Sequence, residues 1–198
     1  MKLDRRIHTA RLAAAKSGRA RADYIRQNSL FDLVGKNVTF QPRRLLLYSE
    51  LIRLYDNVAI ARNVDFCTHD IMHGVFNRYR ETSKMPPMPR LKERIGCIEV
   101  GENSFIGSNV VIIYGAKIGR NVVIASGSVV VGDLESDSVY AGVPARRVGK
   151  YQDLVDRYIQ AQQSESIATV KVGRRLSEGE AALAWKLFEL EHATSSSL

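Results

Sequence analysis

The stretch that decides the fold is residues 100–139, which read VGENSFIGSNVVIIYGAKIGRNVVIASGSVVVGDLESDSV. Large aliphatic residues recur in it at every sixth position, and these are Val100, Ile106, Ile112, Ile118, Ile124 and Val130. A helix repeats its buried face every 3.6 residues and a simple strand every second residue, so neither explains this period. A hexapeptide period is typical of a parallel β-helix, in which each aliphatic side chain points inward and stacks on its equivalent in the next coil.

The residues between the aliphatics suit the corners of such a coil. Glycine and other small residues follow most of the aliphatics and allow the chain to turn tightly. Asn103, Asn109 and Asn121 share one phase of the repeat, and asparagine tolerates the left-handed backbone region better than most residues. The corners are therefore predicted to include residues with positive φ.

The same period is present earlier in the chain and is interrupted once. Val34 and Phe40 are six residues apart, and a further set follows at Leu54, Ile60 and Phe66. Residues 70–95 break the period and contain three prolines and several basic residues. Since an insertion in a solenoid has to leave it as a loop, we expect a loop that folds over a neighbouring site. The sequence thus predicts a β-helix domain over residues 31–149 with a loop insertion at 70–95.

Both flanks of this domain are predicted to be helical. Residues 1–30 are rich in good helix formers, with a break at Gly18, and we expect them to cover the open end of the solenoid. Residues 150–198 form a predicted helical extension. Its first helix spans residues 151–163, and a capping box at residues 177–180 precedes the second.

Composition limits the classes of function. The chain has 198 residues, a net charge of +8 and two cysteines, Cys67 and Cys97. It contains no apolar run long enough to cross a membrane and no secretory signal at its N-terminus, and two cysteines do not make a disulfide framework, so we expect a cytoplasmic protein. The positive charge fits a solvated basic surface, or an anionic cofactor or acidic sugar; without a nucleic-acid-binding motif, no nucleic-acid partner is predicted.

Three segments resemble a known family. Residues 127–146 contain GSVV, an aspartate and AGVPAR, similar to the closing segment of hexapeptide-repeat acyltransferases. The segments DNVAIARNV (residues 56–64) and VDFCTHD (residues 64–70) resemble motifs of the sugar and xenobiotic O-acetyltransferase branch, which includes maltose and galactoside acetyltransferases. The resemblance implies a mainly β fold built on a left-handed parallel β-helix. It also implies acetyl-CoA (coenzyme A) as acyl donor and a homotrimer with active sites between adjacent subunits.

The same resemblance assigns the catalytic base to His69. Acyl transfer from a thioester to a hydroxyl requires removal of the hydroxyl proton, and a neutral histidine suits this task near pH 7. Asp70 is a second catalytic candidate that either orients the His69 ring or begins the loop. His73 either lines the site or belongs to the loop. The backbone N–H of Ser108 is the candidate donor to the oxyanion of the transition state.

The resemblance also places a set of residues along the cofactor. They are Phe105, Ser108, Ser126, Gly127, Gly142 and Arg146, with Arg147 and Lys150 as basic additions. Phe105 stands where many relatives have tryptophan, which keeps an apolar wall but loses the indole N–H. Val131 and Gly132 stand where a Thr-Lys pair is frequent, which removes a hydroxyl and a charge.

The leading hypothesis is an O-acetyltransferase that modifies a hydroxyl of a sugar or polysaccharide precursor. A non-sugar acceptor, such as a xenobiotic or an amine, and a non-catalytic binding or structural β-helix remain alternatives. A γ-class carbonic anhydrase shares the fold but needs three histidine ligands on zinc, two of them late in the domain. This chain has no histidine between His73 and His192, so no metal is predicted.

Overall fold

The computed structural model describes residues 4–82, 89–164 and 175–195. It divides the chain into two compact units, Met1–Tyr151 and Gln152–Leu198. In the first unit, strands β1 to β15 are Leu33–Val34, Thr39–Phe40, Ile52–Leu54, Ala59–Ile60, Asp65–Cys67, His69–Asp70, Arg94–Ile95, Ile98–Val100, Phe105–Ile106, Val111–Ile113, Lys117–Ile118, Val122–Ile124, Val129–Val130, Ser138–Ala141 and Arg146–Lys150. Helices α1 to α5 are Arg5–Ala14, Gly18–Gln27, Met72–Thr82, Tyr151–Gln163 and Glu178–Ser195, and a short 3₁₀ turn spans Ser49–Leu51.

The strands form three parallel sheets that wind into a solenoid. Sheet A has the order β1-β3-β8-β11, sheet C has β5-β10-β13, and sheet B has β2-β4-β9-β12-β14-β15 with β15 antiparallel at its edge. Among the strands of residues 98–130, the paired residues in each sheet lie eighteen residues apart, as Val111 does opposite Val129. One coil is therefore three hexapeptides, one for each sheet, and the predicted parallel β-helix is confirmed. Its left-handed sense stays a prediction.

The mainly β class is confirmed only for this solenoid. More of the described residues lie in helices than in strands, because the strands are two to five residues long and the helices ten to eighteen. A three-sided coil needs a corner every six residues, and this keeps each strand short.

The core is the stack of inward-pointing aliphatic side chains that the period predicted. The six aliphatics at every sixth position from Val100 to Val130 are each exposed by 1% or less. Phe40 and Phe66 continue the stack toward the N-terminus, with ring centroids 6.3 Å apart. Because the inward aliphatics contact one another from coil to coil, the hydrophobic effect sets the register of the coils.

The asparagines occupy corners in the left-handed conformation, as predicted. Positive φ angles between 53° and 59° occur at Asn37, Asn57, Asn63, Asn103, Asn109, Asn121 and Asp137. Their side chains also form ladders, which the sequence reasoning did not foresee. One runs from Asn37 to Asp137 through Asn57, Asn103 and Asn121, each amide donating to the next side chain over 2.6–3.1 Å. The ladder ties the coils together along one corner.

The insertion is more ordered than the loop we expected. It leaves the solenoid through β6 and returns through β7, and these two strands pair antiparallel with His69 opposite Ile95. Between them lies α3. We call residues 69–95 the excursion. Its helix was missed because the prolines of this segment dominated the prediction, although they follow the helix.

The N-terminal helices cover the first coil. Residues 15–17 separate the two helices, and Ser17 caps α2 by accepting a hydrogen bond from the N–H of Ala20 at 3.1 Å. Arg21 is buried and donates to the carbonyl of Phe40 at 2.9 Å and to the side chain of Gln41 at 2.7 Å. These bonds attach α2 to β2, the first strand of sheet B.

In the second unit, α4 has the predicted bounds. The capping box before α5 is also present, because the N–H of Ser177 donates to Glu180 Oε2 at 2.8 Å and the N–H of Glu180 donates back to Ser177 Oγ at 3.3 Å. Among the described residues, no helix has the length and apolar character needed to cross a membrane.

Candidate functional site

His69 lies where the chain leaves sheet C and enters the excursion. About a quarter of its side chain is exposed (27%). Its Nδ1 atom is buried and has no hydrogen-bond partner among the described residues. Its Nε2 atom lies 3.9 Å from Glu93 Oε1. The imidazole is therefore held at the rim of the solenoid beside a carboxylate.

Tyr48 completes the surroundings of this histidine. The two rings meet edge to face with centroids 5.3 Å apart, and the Tyr48 hydroxyl donates to Glu93 Oε2 at 2.9 Å. That hydrogen bond to a carboxylate raises the pKa of the Tyr48 hydroxyl. We call His69, Glu93 and Tyr48 the histidine cluster. Sequence reasoning found only its histidine, because the other two reach it from an irregular segment and from the returning arm of the excursion.

Asp70 forms two hydrogen bonds at the start of the excursion. Its Oδ2 accepts a hydrogen bond from the Tyr114 hydroxyl at 2.6 Å, and its Oδ1 accepts one from the N–H of Met72 at the start of α3 at 3.0 Å. The hydrogen bond from Tyr114 lowers the pKa of Asp70. The guanidinium of Arg94 lies over the Tyr114 ring, 5.0 Å from its centroid. Of the two interpretations of Asp70, the one in which it begins the loop agrees with these contacts.

Most of the predicted cofactor residues gather at the corner between sheets B and C. Ser108, Ser126 and Gly142 follow one another there from coil to coil, because β9, β12 and β14 pair in register. The N–H of Ser108 donates to Ser126 Oγ at 3.1 Å, and the N–H of Gly127 donates to the Ser108 carbonyl at 2.9 Å. We call Ser108, Ser126 and Gly142 the corner column. The candidate oxyanion donor, the Ser108 N–H, is thus held by the Ser126 hydroxyl.

The remaining predicted cofactor residues lie at different distances from this column. Arg146 pairs with Ala141, which precedes Gly142, so it lies at the same end of sheet B. Arg147 is the next residue of β15, and Phe105 lies on the outer face of sheet B with 44% of its surface exposed. Lys150 pairs with Ser138, four residues along the strand and roughly 13 Å away. The structure therefore does not bring Lys150 to the column.

The histidine cluster and the corner column lie at opposite ends of sheet C. His69 follows the C-terminal end of β5, whereas Ser108 and Ser126 precede β10 and β13. The short strands and their corners separate the two groups by roughly 15–20 Å along the chain direction. Within one chain they do not form a single site. Among the described residues, no three histidine, cysteine or acidic side chains converge as metal ligands.

Comparison with known proteins finds the same repeat. Residues 98–132 match the family model described as bacterial transferase hexapeptide (six repeats). The galactoside O-acetyltransferase of Escherichia coli (strain K12) is 33% identical over 125 residues, which are 63% of this chain and 57% of that protein. A putative lipopolysaccharide biosynthesis O-acetyl transferase, WbbJ, from the same strain is 33% identical over 104 residues, 52% of each chain. The chain thus spans little more than half the length of these curated relatives.

Solved structures agree with this similarity. A maltose O-acetyltransferase from Clostridium difficile 630 is 26% identical with a TM-score of 0.50, covering 73% of this chain and 83% of that one. A hexapeptide-repeat acetyltransferase from Vibrio cholerae, VCA0836, shares the fold at 21% identity and a TM-score of 0.51, over 73% of this chain and 87% of that one. The repeat, the motifs and the relatives lead to one conclusion: residues 98–132 carry the bacterial transferase hexapeptide repeat, and the chain is similar to sugar O-acetyltransferases.

Proposed function

We propose that the protein is an acetyl-CoA-dependent O-acetyltransferase that acts on a hydroxyl of a sugar or polysaccharide precursor. The observation that carries the proposal is the histidine cluster, in which His69 is partly buried beside Glu93 at the position where the motif predicts a base. The names of the relatives, galactoside and maltose O-acetyltransferase, support the class of acceptor.

In this proposal His69 takes the proton of the acceptor hydroxyl as the hydroxyl oxygen attacks the acetyl carbonyl. A carbon–oxygen bond forms, the carbon–sulfur bond of the thioester breaks, and the proton passes from His69 to the departing sulfur. Glu93 stabilises the protonated ring by charge, and Tyr48 holds Glu93 in place through its 2.9 Å hydrogen bond. Glu93 and Tyr48 are positioning residues, because they act through His69.

The corner column suits a thioester donor that carries phosphates. Its small side chains leave the corner open, and the guanidinium of Arg146 and its neighbour Arg147 supply charge for phosphate oxygens. The donor, when bound, supplies an activated acetyl group. We propose that the Ser108 N–H stabilises the oxyanion, which requires Ser126 Oγ to release it.

A homotrimer would unite the two groups. Because the histidine cluster and the corner column are separated along sheet C, a second copy of the chain has to bring its column to the first chain's His69. A ring of three identical interfaces closes on itself and gives three such sites.

The test measures thiol release from acetyl-CoA with a panel of sugars and a parallel panel of amines. Exchanging Glu93 for glutamine is compared with exchanging Asp70 for asparagine, since both changes remove one carboxylate charge at the base of the excursion. We expect Glu93→Gln to lower kcat about tenfold or more, and Asp70→Asn to alter mainly the stability of the excursion. Amines acetylated in preference to every sugar would overturn the acceptor class, and a protein that does not bind acetyl-CoA would leave a non-catalytic β-helix.

A further inference from the structure

A cleft of about 610 Å³ lies at the N-terminal end of the corner between sheets B and C. It is lined by the segment that follows β2 and by the corner that follows β4, and its charged lining residues are Arg43, Arg44, Arg62 and Asp65. The volume falls within the range that small-molecule sites occupy. The lining contains three arginines and one aspartate, so it carries a net positive charge.

The three guanidinium groups lie close to no carboxylate that pairs with them in the described parts of the chain. In the described parts of the chain, Arg43, Arg44 and Arg62 form no ion pair, whereas Arg26 and Arg53 pair with aspartates. Like charges also crowd at this point. Burial, and then the charge of Arg43, lowers the pKa of Arg21, which lies behind the cleft and donates to Gln41 in its wall. Uncompensated cations lining one cleft create a field that attracts an anion.

The cleft is adjacent to the corner column. The N–H of Asn109 donates to the carbonyl of Arg62 at 3.0 Å, so Arg62 lies one coil below Ser108. Adjacent strands are about 4.8 Å apart. In the proposed function the N–H of Ser108 donates to the oxygen of the reacting acetyl carbonyl. Arg62 therefore lies one coil away from that carbonyl.

The proposed donor residues and the arginine-lined cleft lie on opposite sides of Ser108 along the corner between sheets B and C. From Ser108 toward the C-terminus come Ser126, Gly142 and Arg146, which are the proposed donor residues. From Ser108 toward the N-terminus comes the arginine-lined cleft. The cleft therefore lies on the side of the reaction centre that the donor does not use.

We infer that the acceptor is a sugar that carries an oxyanion, either a phosphate or a carboxylate, and that Arg43, Arg44 and Arg62 bind this group. This inference rests on the proposed function and narrows its acceptor to an anionic sugar. Arginine presents a planar fork of donors that matches both oxyanions, so one cleft would serve either source. Asp65 in the same lining offers an acceptor for sugar hydroxyls.

The experiment compares glucose, glucose 1-phosphate and glucuronate as acceptors for the full chain. We expect kcat/KM to be at least tenfold higher for one of the charged sugars than for glucose. Arg62→Gln and the pair Arg43→Gln/Arg44→Gln should each raise the KM of that sugar about tenfold, with the KM of acetyl-CoA unchanged. Arg120→Gln is the matched control, because it removes the same charge from an exposed position in the corner between sheets A and B.

Three results would overturn the inference. The first is equal use of glucose and the charged sugars with no difference between Arg62→Gln and Arg120→Gln. The second is a rise in the KM of acetyl-CoA in the cleft variants, which would assign the cleft to the donor. If no sugar is acetylated, the proposed function fails, and calorimetric binding of glucose 1-phosphate decides the inference separately. If Arg62→Gln weakens this binding and Arg120→Gln does not, the anion site is supported. The third contradicting result is that glucose 1-phosphate does not bind.

Discussion

Val130 and Val131 are adjacent valines on opposite faces of the solenoid. Val130 is fully buried between neighbouring coils and pairs with Ile112, whereas Val131 is 64% exposed. Val130→Ala removes two buried methyl groups, each worth about 0.8 kcal/mol, and the void adds about 1 kcal/mol. We expect the free energy of unfolding to fall by about 2–3 kcal/mol. The same exchange at Val131 should change it by less than about 0.5 kcal/mol.

The two variants are compared by urea unfolding of the full chain, monitored by circular dichroism. The dependence of the free energy of unfolding on urea concentration is fitted with one shared slope. The expected loss at Val130 corresponds to a fall of about 4–12 °C in the melting temperature. Equal losses in the two variants, or a larger loss at Val131, would mean that the register of the hexapeptide repeat is wrong.

Gly107→Ala should destabilise the protein by more than 1 kcal/mol, because an added Cβ would lie 2.5 Å from backbone of the next coil, while Gly149→Ala, which meets nothing within 4 Å, should be neutral in the same unfolding assay. Tyr114→Phe should increase amide hydrogen exchange in the excursion at neutral pH, since it removes the bond to Asp70. Because that bond lowers the pKa of Asp70, its contribution is present above the ordinary aspartate pKa of about 4 and is lost as the pH falls through the lowered value. The protection of the excursion amides, which is their exchange relative to the intrinsic rate at each pH, should therefore change less between pH 3 and pH 7 in Tyr114→Phe than in the native chain. An equal change in the two proteins would argue against this anchor.

Local patterns were sufficient to predict the solenoid. The position of each aliphatic is set by its own place in a six-residue unit, so Ile112 and Ile118 could be assigned to the core without knowing what they contact. Asn103 and Asn109 could be placed at corners for the same reason, because positive φ is a property of a single residue. The capping box at Ser177 is equally local.

The site depends on contacts between distant parts of the chain, which a local pattern does not record. Glu93 reaches His69 only because the excursion returns antiparallel beside it. Asp70 could not be assigned from sequence, since its partner Tyr114 lies forty-four residues away. The arginine-lined cleft likewise needs Arg43 and Arg62 to meet across successive coils.

The role of His69 as the base is tested by the steady-state rate of acetyl transfer by His69→Ala, with His192→Ala in the second unit as the matched histidine control. We expect His69→Ala to lower kcat by about 10²–10⁴-fold, with unchanged calorimetric binding of acetyl-CoA, and His192→Ala to keep the native rate. A His69→Ala protein that transfers acetyl groups at the native rate would contradict the account.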